Sequence, residues 1–171
     1  PALLGAVYFF GFRALTVTAV SVAACVFFEW LYCKLMKKPC KTYDLSACVT
    51  GVLLAFVCPV TIPYWTIILG DAFAILLVKM LFGGLGKNIV NPALAGRAFM
   101  FSWPVLMSNW VKVGFENAAG LISSADAVTA ATPLANLHQG VMCTESTAAL
   151  FLGNVGGCLG ETSALLLLIG F

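Results

Sequence analysis

The amino-acid sequence predicts an all-α, polytopic integral membrane protein in which some helices are short or broken. Of the 171 residues, 61% are hydrophobic and only 9% are charged, whereas a soluble domain averages about 45–50% apolar and about 25% charged residues. The mean hydropathy is +1.02. Apolar runs alternate with polar, glycine-containing segments. A helix needs about 20 residues to cross a bilayer, and some of the runs are shorter than this. We therefore interpret residues 1–171 as a single membrane domain in contact with lipid.

Both ends of the sequence fall within apolar segments. Residues 2–10 resemble the end of a helix. Residues 165–171 resemble a helix that stops after about two turns, although a span needs about 20 residues. We expect the chain to be an internal fragment of a longer protein.

Composition also argues against two kinds of site. The net charge is +2, and no basic cluster with interleaved aromatic residues is visible, so we predict no nucleic-acid partner. The seven cysteines contain no Cys-x-x-Cys pair, and the single histidine, His138, lies far from most of them in the sequence. We therefore predict no metal site.

The first two spans are predicted from runs of unequal length. Residues 14–33 are long enough to cross a bilayer, and the run ends in Trp30 and Tyr32, which are typical of a membrane–water interface. Residues 46–60 form a shorter run that ends in prolines. The first run predicts a full span and the second a short helix.

Two further spans and a long polar stretch follow. Residues 64–82 predict a third span, and residues 97–107 a short fourth one. The stretch 108–160 is rich in small and polar residues, and a last helix is expected to begin near Glu161. The two short segments fit half-helices that meet inside the bilayer, as in transporters, and they also fit tilted short spans.

The distribution of cations predicts the orientation. Loops on the cytoplasmic side of a membrane carry an excess of lysine and arginine. If the segment 34–41 is cytoplasmic, alternating spans leave only Arg13 and Lys112 on the outer side. The cytoplasmic side then holds Lys34, Lys37, Lys38, Lys41, Lys79, Lys87 and Arg97. We therefore predict that the stretch 108–160 is extracytoplasmic.

The polar segment 126–134 contains a hydroxyl suited to modification. Thr132 precedes Pro133, and the residue before a proline is disfavoured in the α region of backbone space. We therefore expect the Thr132 side chain to be presented at a turn, where another enzyme can reach it.

A second motif, Gly-Gly-Leu-Gly-Lys-Asn-Ile-Val-Asn-Pro-Ala, covers residues 83–93. Glycines such as Gly84 let the backbone approach a ligand closely, and Asn88 and Asn91 supply amide donors and acceptors. Pro92 suits the first turn of a helix, and that helix would carry Arg97. The motif predicts a ligand contact, a tight turn capped by asparagine, or both.

A third glycine-rich motif covers residues 153–163 and runs into the last predicted helix. The N-terminus of a helix favours anions, so Glu161 and Thr162 are candidates for a cofactor contact. Alternatively, one of them caps the helix.

Asp71 stands near the middle of the third predicted span. A carboxylate at bilayer depth is costly and is by default a functional hypothesis. We consider two roles for Asp71, which are a path for a cation and a hydrogen bond between helices.

The motifs at 83–93, 126–134 and 153–163, in this order, closely resemble the RnfD family of the Rnf complex, which is related to a subunit of the sodium-translocating NADH:quinone oxidoreductase. The resemblance implies a threonine that carries FMN through a phosphoester, and this threonine corresponds to Thr132. Asp126 and Thr129 match the acid and the hydroxyl of the family's attachment motif, and Ala131 and Pro133 flank the attachment site. Ala127 and Ala130 stand where glycine is usual in that motif.

The same resemblance implies a function. The chain would be a membrane electron-transfer subunit of a ferredoxin:NAD oxidoreductase complex that translocates sodium or protons, with the other Rnf subunits and a flavin transferase as partners. A second, non-covalent flavin such as riboflavin is also implied, and we expect it near residues 83–97. The chain would be part of a translocase without holding a complete active site. Its expected location is the inner (cytoplasmic) membrane of a prokaryote, which it would cross several times. The alternatives are a secondary transporter or a structural membrane subunit without a redox cofactor.

Overall fold

The computed structural model describes residues 1–37, 42–110, 137–138, 140, 146–153, 155–161 and 163–170. Within these residues the regular structure is helical and contains no strand, so the all-α prediction is confirmed for them. The helices are α1 (Ala2–Phe10), α2 (Phe12–Leu35), α3 (Ser46–Phe56), α4 (Tyr64–Ala72), α5 (Pro92–Met100), α6 (Pro104–Met107), α7 (Thr147–Leu152) and α8 (Ala164–Gly170). A short 3₁₀ turn covers Thr42–Asp44.

Helix α2 covers the first predicted span. Its 24 residues reach about 36 Å at about 1.5 Å per residue. Among the described helices it is the one that is long and apolar enough to cross a membrane. At its end the Lys34 ammonium lies 4.8 Å from the centre of the Trp30 ring, an arrangement that suits the headgroup level of a bilayer.

The third predicted span is a continuous helix with two geometries. Helix α4 begins after Pro63, whose backbone is extended, and it continues as a π-helix over Phe73–Met80. The wider geometry persists at its end, where Leu81 N donates to Leu76 O and Gly84 N donates to Lys79 O. Segments of π-helix inside α-helices occur frequently at functional sites.

The fourth span differs from its prediction. Helix α5 begins at Pro92, where Asn91 Oδ1 accepts a hydrogen bond of 3.0 Å from Ala93 N. This start agrees with the preference of proline for the first helical position. Residues 97–107 are not one helix, because the residue before Pro104 is disfavoured in the α region. A tight turn therefore separates α5 from α6.

The chain forms two compact units, one of which contains residues 17–55 and 62–107. Glycines bring its helices close together, as small residues do in membrane proteins. A β-carbon on Gly51 of α3 would lie 2.8 Å from Val22 Cα of α2, and one on Gly96 of α5 would lie 3.0 Å from Gly70 O of α4.

The other unit contains residues 1–16, 56–61 and 108–171. Its described part is held by main-chain bonds, including one from Gly160 N to Phe56 O at 2.9 Å. It also contains a helix that the sequence did not predict, α7, which Ser146 caps by accepting a bond from Ala149 N. Helix α8 is capped by Ser163, whose Oγ accepts from Leu166 N at 3.3 Å. Among the described residues, the side chain that caps α8 is therefore that of Ser163 and not that of Glu161.

Candidate functional site

A buried polar contact joins α2 to the helix formed by α4 and its π-helical continuation. Ser21 Oγ lies 2.8 Å from Asp71 Oδ1, and Lys79 Nζ lies 2.7 Å from Glu29 Oε1. The two contacts are eight residues apart on each helix, so the helices run in the same direction. Alternating spans predict this relation for the first and third spans.

Asp71 is completely buried. Its Oδ1 is also 3.2 Å from Cys25 Sγ, which donates to it. Its Oδ2 is buried and has no hydrogen-bond partner among the described residues. Ser21 in turn donates to Gly51 O at 2.9 Å, which links the cluster to α3. The hydrogen bond between helices that we considered for Asp71 is therefore present.

The pair Glu29–Lys79 was missed by the sequence interpretation. The cation count places Lys79 among the cytoplasmic-side charges, but its side chain is 2% exposed and paired with Glu29. It also donates to Ser46 Oγ at the start of α3, at 2.6 Å. A signal was available, since Ser21, Cys25 and Glu29 follow each other at four-residue spacing and share one face of α2.

An open cleft of about 500 Å³ is lined by residues of α3, by Lys79 near the end of the π-helical segment, and by the segment 85–92. Its polar lining includes Lys79, Thr50, Asn88 and Asn91, and its apolar lining includes Leu53 and Ile89. Asn88 Oδ1 is buried and has no partner within the described part of the chain. Asn91 Oδ1 is used in capping α5, which leaves its amide nitrogen for a ligand. The structure thus brings together two of the predicted ligand residues and adds Lys79.

The remaining predicted site residues do not line this cleft. Gly84 forms part of the adjacent turn, with a φ of +91°, and the Arg97 guanidinium lies 5.7 Å from the centre of the Phe101 ring. Glu161 is exposed and belongs to the other unit. The candidates that lie outside the described residues are Asp126, Thr129, Ala131, Thr132, Pro133 and Thr162.

Comparison with known proteins assigns the chain. The family model described as NQR2, RnfD and RnfE matches residues 1–171. The chain belongs to this family. One similar relative is the D subunit of the Na⁺-translocating ferredoxin:NAD⁺ oxidoreductase complex of Acetobacterium woodii. It is 48% identical over 99% of this chain and 52% of its own length.

Two further relatives show the range of the family. The D subunit of the proton-translocating ferredoxin:NAD⁺ oxidoreductase complex of Clostridium ljungdahlii is 41% identical over 99% of this chain and 52% of its own length. The B subunit of the Na⁺-translocating NADH-quinone reductase of Klebsiella pneumoniae is 41% identical over 71% of this chain and 30% of its own length. The chain thus spans about half the length of the curated ferredoxin:NAD⁺ oxidoreductase relatives that it matches most fully.

Proposed function

We propose that this chain is part of the membrane-embedded electron-transfer subunit of an ion-translocating ferredoxin:NAD⁺ oxidoreductase complex. The observation that carries the proposal is the 48% identity, over 99% of this chain, to the D subunit of such a complex. The other subunits of the complex are the proposed partners. A multi-pass arrangement in the cytoplasmic membrane is supported by the long apolar α2 and by the buried polar contact with the parallel helix α4.

The proposed covalent cofactor is FMN, attached to Thr132 through its phosphate. The support is the motif around Asp126, Thr129 and Thr132 and the pre-proline geometry expected of Thr132. A threonine hydroxyl is a poor nucleophile until a base removes its proton, so a separate flavin transferase is expected to catalyse the attachment. When bound, the flavin supplies the electron transfer, and the protein controls its location and electrostatics.

A second, non-covalent flavin is proposed for the cleft beside Asn88. A volume of about 500 Å³ is within the range of about 300–1,000 Å³ that is usual for ligand sites. The ring edge of a flavin carries both hydrogen-bond donors and acceptors. Asn88 Oδ1 can accept from it, and two other residues that line the cleft, Asn91 and Lys79, have amide and ammonium donors. The apolar side chains of Leu53 and Ile89 suit the faces of an aromatic ring.

The coupled ion is proposed to be sodium or a proton, because relatives of similar identity are named for each. Asp71 is the proposed residue of the ion path. It is a buried carboxylate with one oxygen that has no partner in the described part of the chain.

One experiment separates this function from a secondary transporter or a structural subunit. The full-length subunit, purified in its complex, is denatured and separated by electrophoresis, and its flavin fluorescence is recorded. Fluorescence that survives denaturation supports the electron-transfer function. A colourless subunit in a complex that still transports ions would favour the secondary transporter.

A further inference from the structure

The hydroxyl of Ser21 lies within hydrogen-bond distance of two oxygen atoms at once. Its Oγ lies 2.9 Å from Gly51 O and 2.8 Å from Asp71 Oδ1. A serine hydroxyl has one proton to donate, and a carbonyl oxygen has none. If the proton of Ser21 is used for Gly51 O, the short contact with Asp71 needs a proton of its own.

The surroundings of Asp71 favour a proton on the carboxyl group. A buried carboxylate needs a counter-charge or a full set of donors. Asp71 Oδ2 has no described partner, and Cys25 supplies only a weak thiol donor to Oδ1. The charged groups on the packed elements are committed elsewhere, because Lys79 pairs with Glu29 and Arg97 lies over Phe101. Cys48 of α3 adds no positive charge.

We infer that Asp71 is a neutral carboxylic acid in this conformation and that a proton on its Oδ1 is the ion that this site binds. In that state Asp71 Oδ1 donates to Ser21 Oγ, and Ser21 donates to Gly51 O. Every proton in the chain of three groups then has one acceptor. The role of this proton in transport rests on the proposed function, whereas its presence on Asp71 does not.

Loss of the proton has a structural consequence. When the proton leaves to a water molecule, the carboxylate becomes the stronger acceptor, and the hydroxyl of Ser21 turns from Gly51 O to Asp71 Oδ1. The side-chain bond between α2 and α3 is then lost. Ser21 therefore reports the protonation state of Asp71 to α3, whose first half lines the cleft.

Infrared difference spectroscopy on the purified complex tests this inference. Protonated carboxylic acids have a carbonyl stretch that ionised carboxylates lack. We expect one such band to disappear in Asp71→Asn and to shift to higher frequency in Ser21→Ala, because the carboxyl proton loses its acceptor. The matched control is Cys33→Ala, which removes another buried thiol of α2, and it should leave the band unchanged. Isotope labelling of aspartate should shift the band in the unaltered complex.

The outcomes separate this inference from the proposed function. Spectra of the unaltered complex and Asp71→Asn without any difference in the carboxylic acid region would overturn it. A band that appears only after sodium is removed would mean that the carboxylate holds sodium, and this too would overturn it. A band with the expected behaviour in a complex without flavin would support the protonated Asp71 and would count against the electron-transfer function.

Discussion

The Lys79 ammonium lies 2.7 Å from the Glu29 carboxylate, and the two side chains are only 2% and 7% exposed. This pair stands two helical turns from Asp71 on the same face of its helix. It joins α2 to the π-helical segment, and through Ser46 it also joins both to α3. Each of these two buried charges requires the other, because an unpaired buried charge is strongly destabilising.

Removal of one member of this pair should therefore cost more than removal of both. We expect Glu29→Gln to lower the stability of the subunit by about 3–5 kcal/mol, since an uncompensated buried ammonium remains. The double variant Glu29→Leu with Lys79→Met should recover most of that loss. Thermal unfolding of the detergent-solubilised complex measures both. The control is Lys87→Met, an exposed lysine whose loss should be neutral, and equal losses in the single and double variants would contradict the interpretation.

Thr132→Ala should abolish the covalent flavin and leave the assembly of the complex intact, because the substitution removes only a small hydroxyl that the sequence predicts to lie at a turn. Mass spectrometry of the tryptic peptide that covers residues 113–171 measures the modification. The matched variant Thr129→Ala keeps the proposed acceptor and should have the milder effect. An unmodified peptide from active complex, or flavin that persists in Thr132→Ala, would refute the assignment.

The cleft predicts a separate effect on the non-covalent flavin. Asn88→Leu should weaken its retention by about 5–150-fold, since loss of a buried hydrogen-bonding partner costs about 1–3 kcal/mol. Asn91→Asp keeps the oxygen that caps α5 but loses the amide donor, so it separates ligand binding from helix capping. Flavin released on mild denaturation is quantified against the covalent flavin. If Asn88→Leu releases the same amount of non-covalent flavin as the unaltered complex, the cleft is not the site of this flavin.

Topology is tested by labelling of single cysteines at positions 38 and 117 in a variant without native thiols. The cation pattern predicts that an impermeant reagent added to whole cells labels position 117 and spares position 38. Burial of Lys79 removes one cation from the cytoplasmic count, but the remaining cations on that side still outnumber Arg13 and Lys112. The reverse labelling pattern would mean that the orientation is inverted.

Much of this arrangement could be predicted from the sequence, for specific reasons. The first span and the start of α5 follow from strong local signals, namely a long apolar run and an asparagine followed by Pro92. Asp71 was found because a carboxylate inside an apolar run is unusual. The partners of Asp71 and Lys79 were not found, because they lie 46 and 50 residues away in the sequence and the pairing depends on the register between helices. Helix α7 was missed because its glycine- and serine-containing surroundings have the composition of a loop.

The last prediction concerns Asp71 and the coupling of electron transfer to ion movement. Asparagine has nearly the same shape and can still hydrogen-bond to Ser21, but it cannot bind a proton or carry a negative charge. Asp71→Asn should therefore keep the flavin content and the assembly of the complex. It should slow ion-coupled electron transfer by about 5–150-fold, the range of a coupling of about 1–3 kcal/mol. The measurement is ferredoxin-dependent NAD⁺ reduction in sealed vesicles at limiting concentrations of the ion. The matched control is Glu145→Gln, which removes a carboxylate that belongs to none of the proposed sites. If Asp71→Asn retains full coupled transport at limiting ion, Asp71 is not part of the ion path, and its role is only the hydrogen bond between α2 and α4.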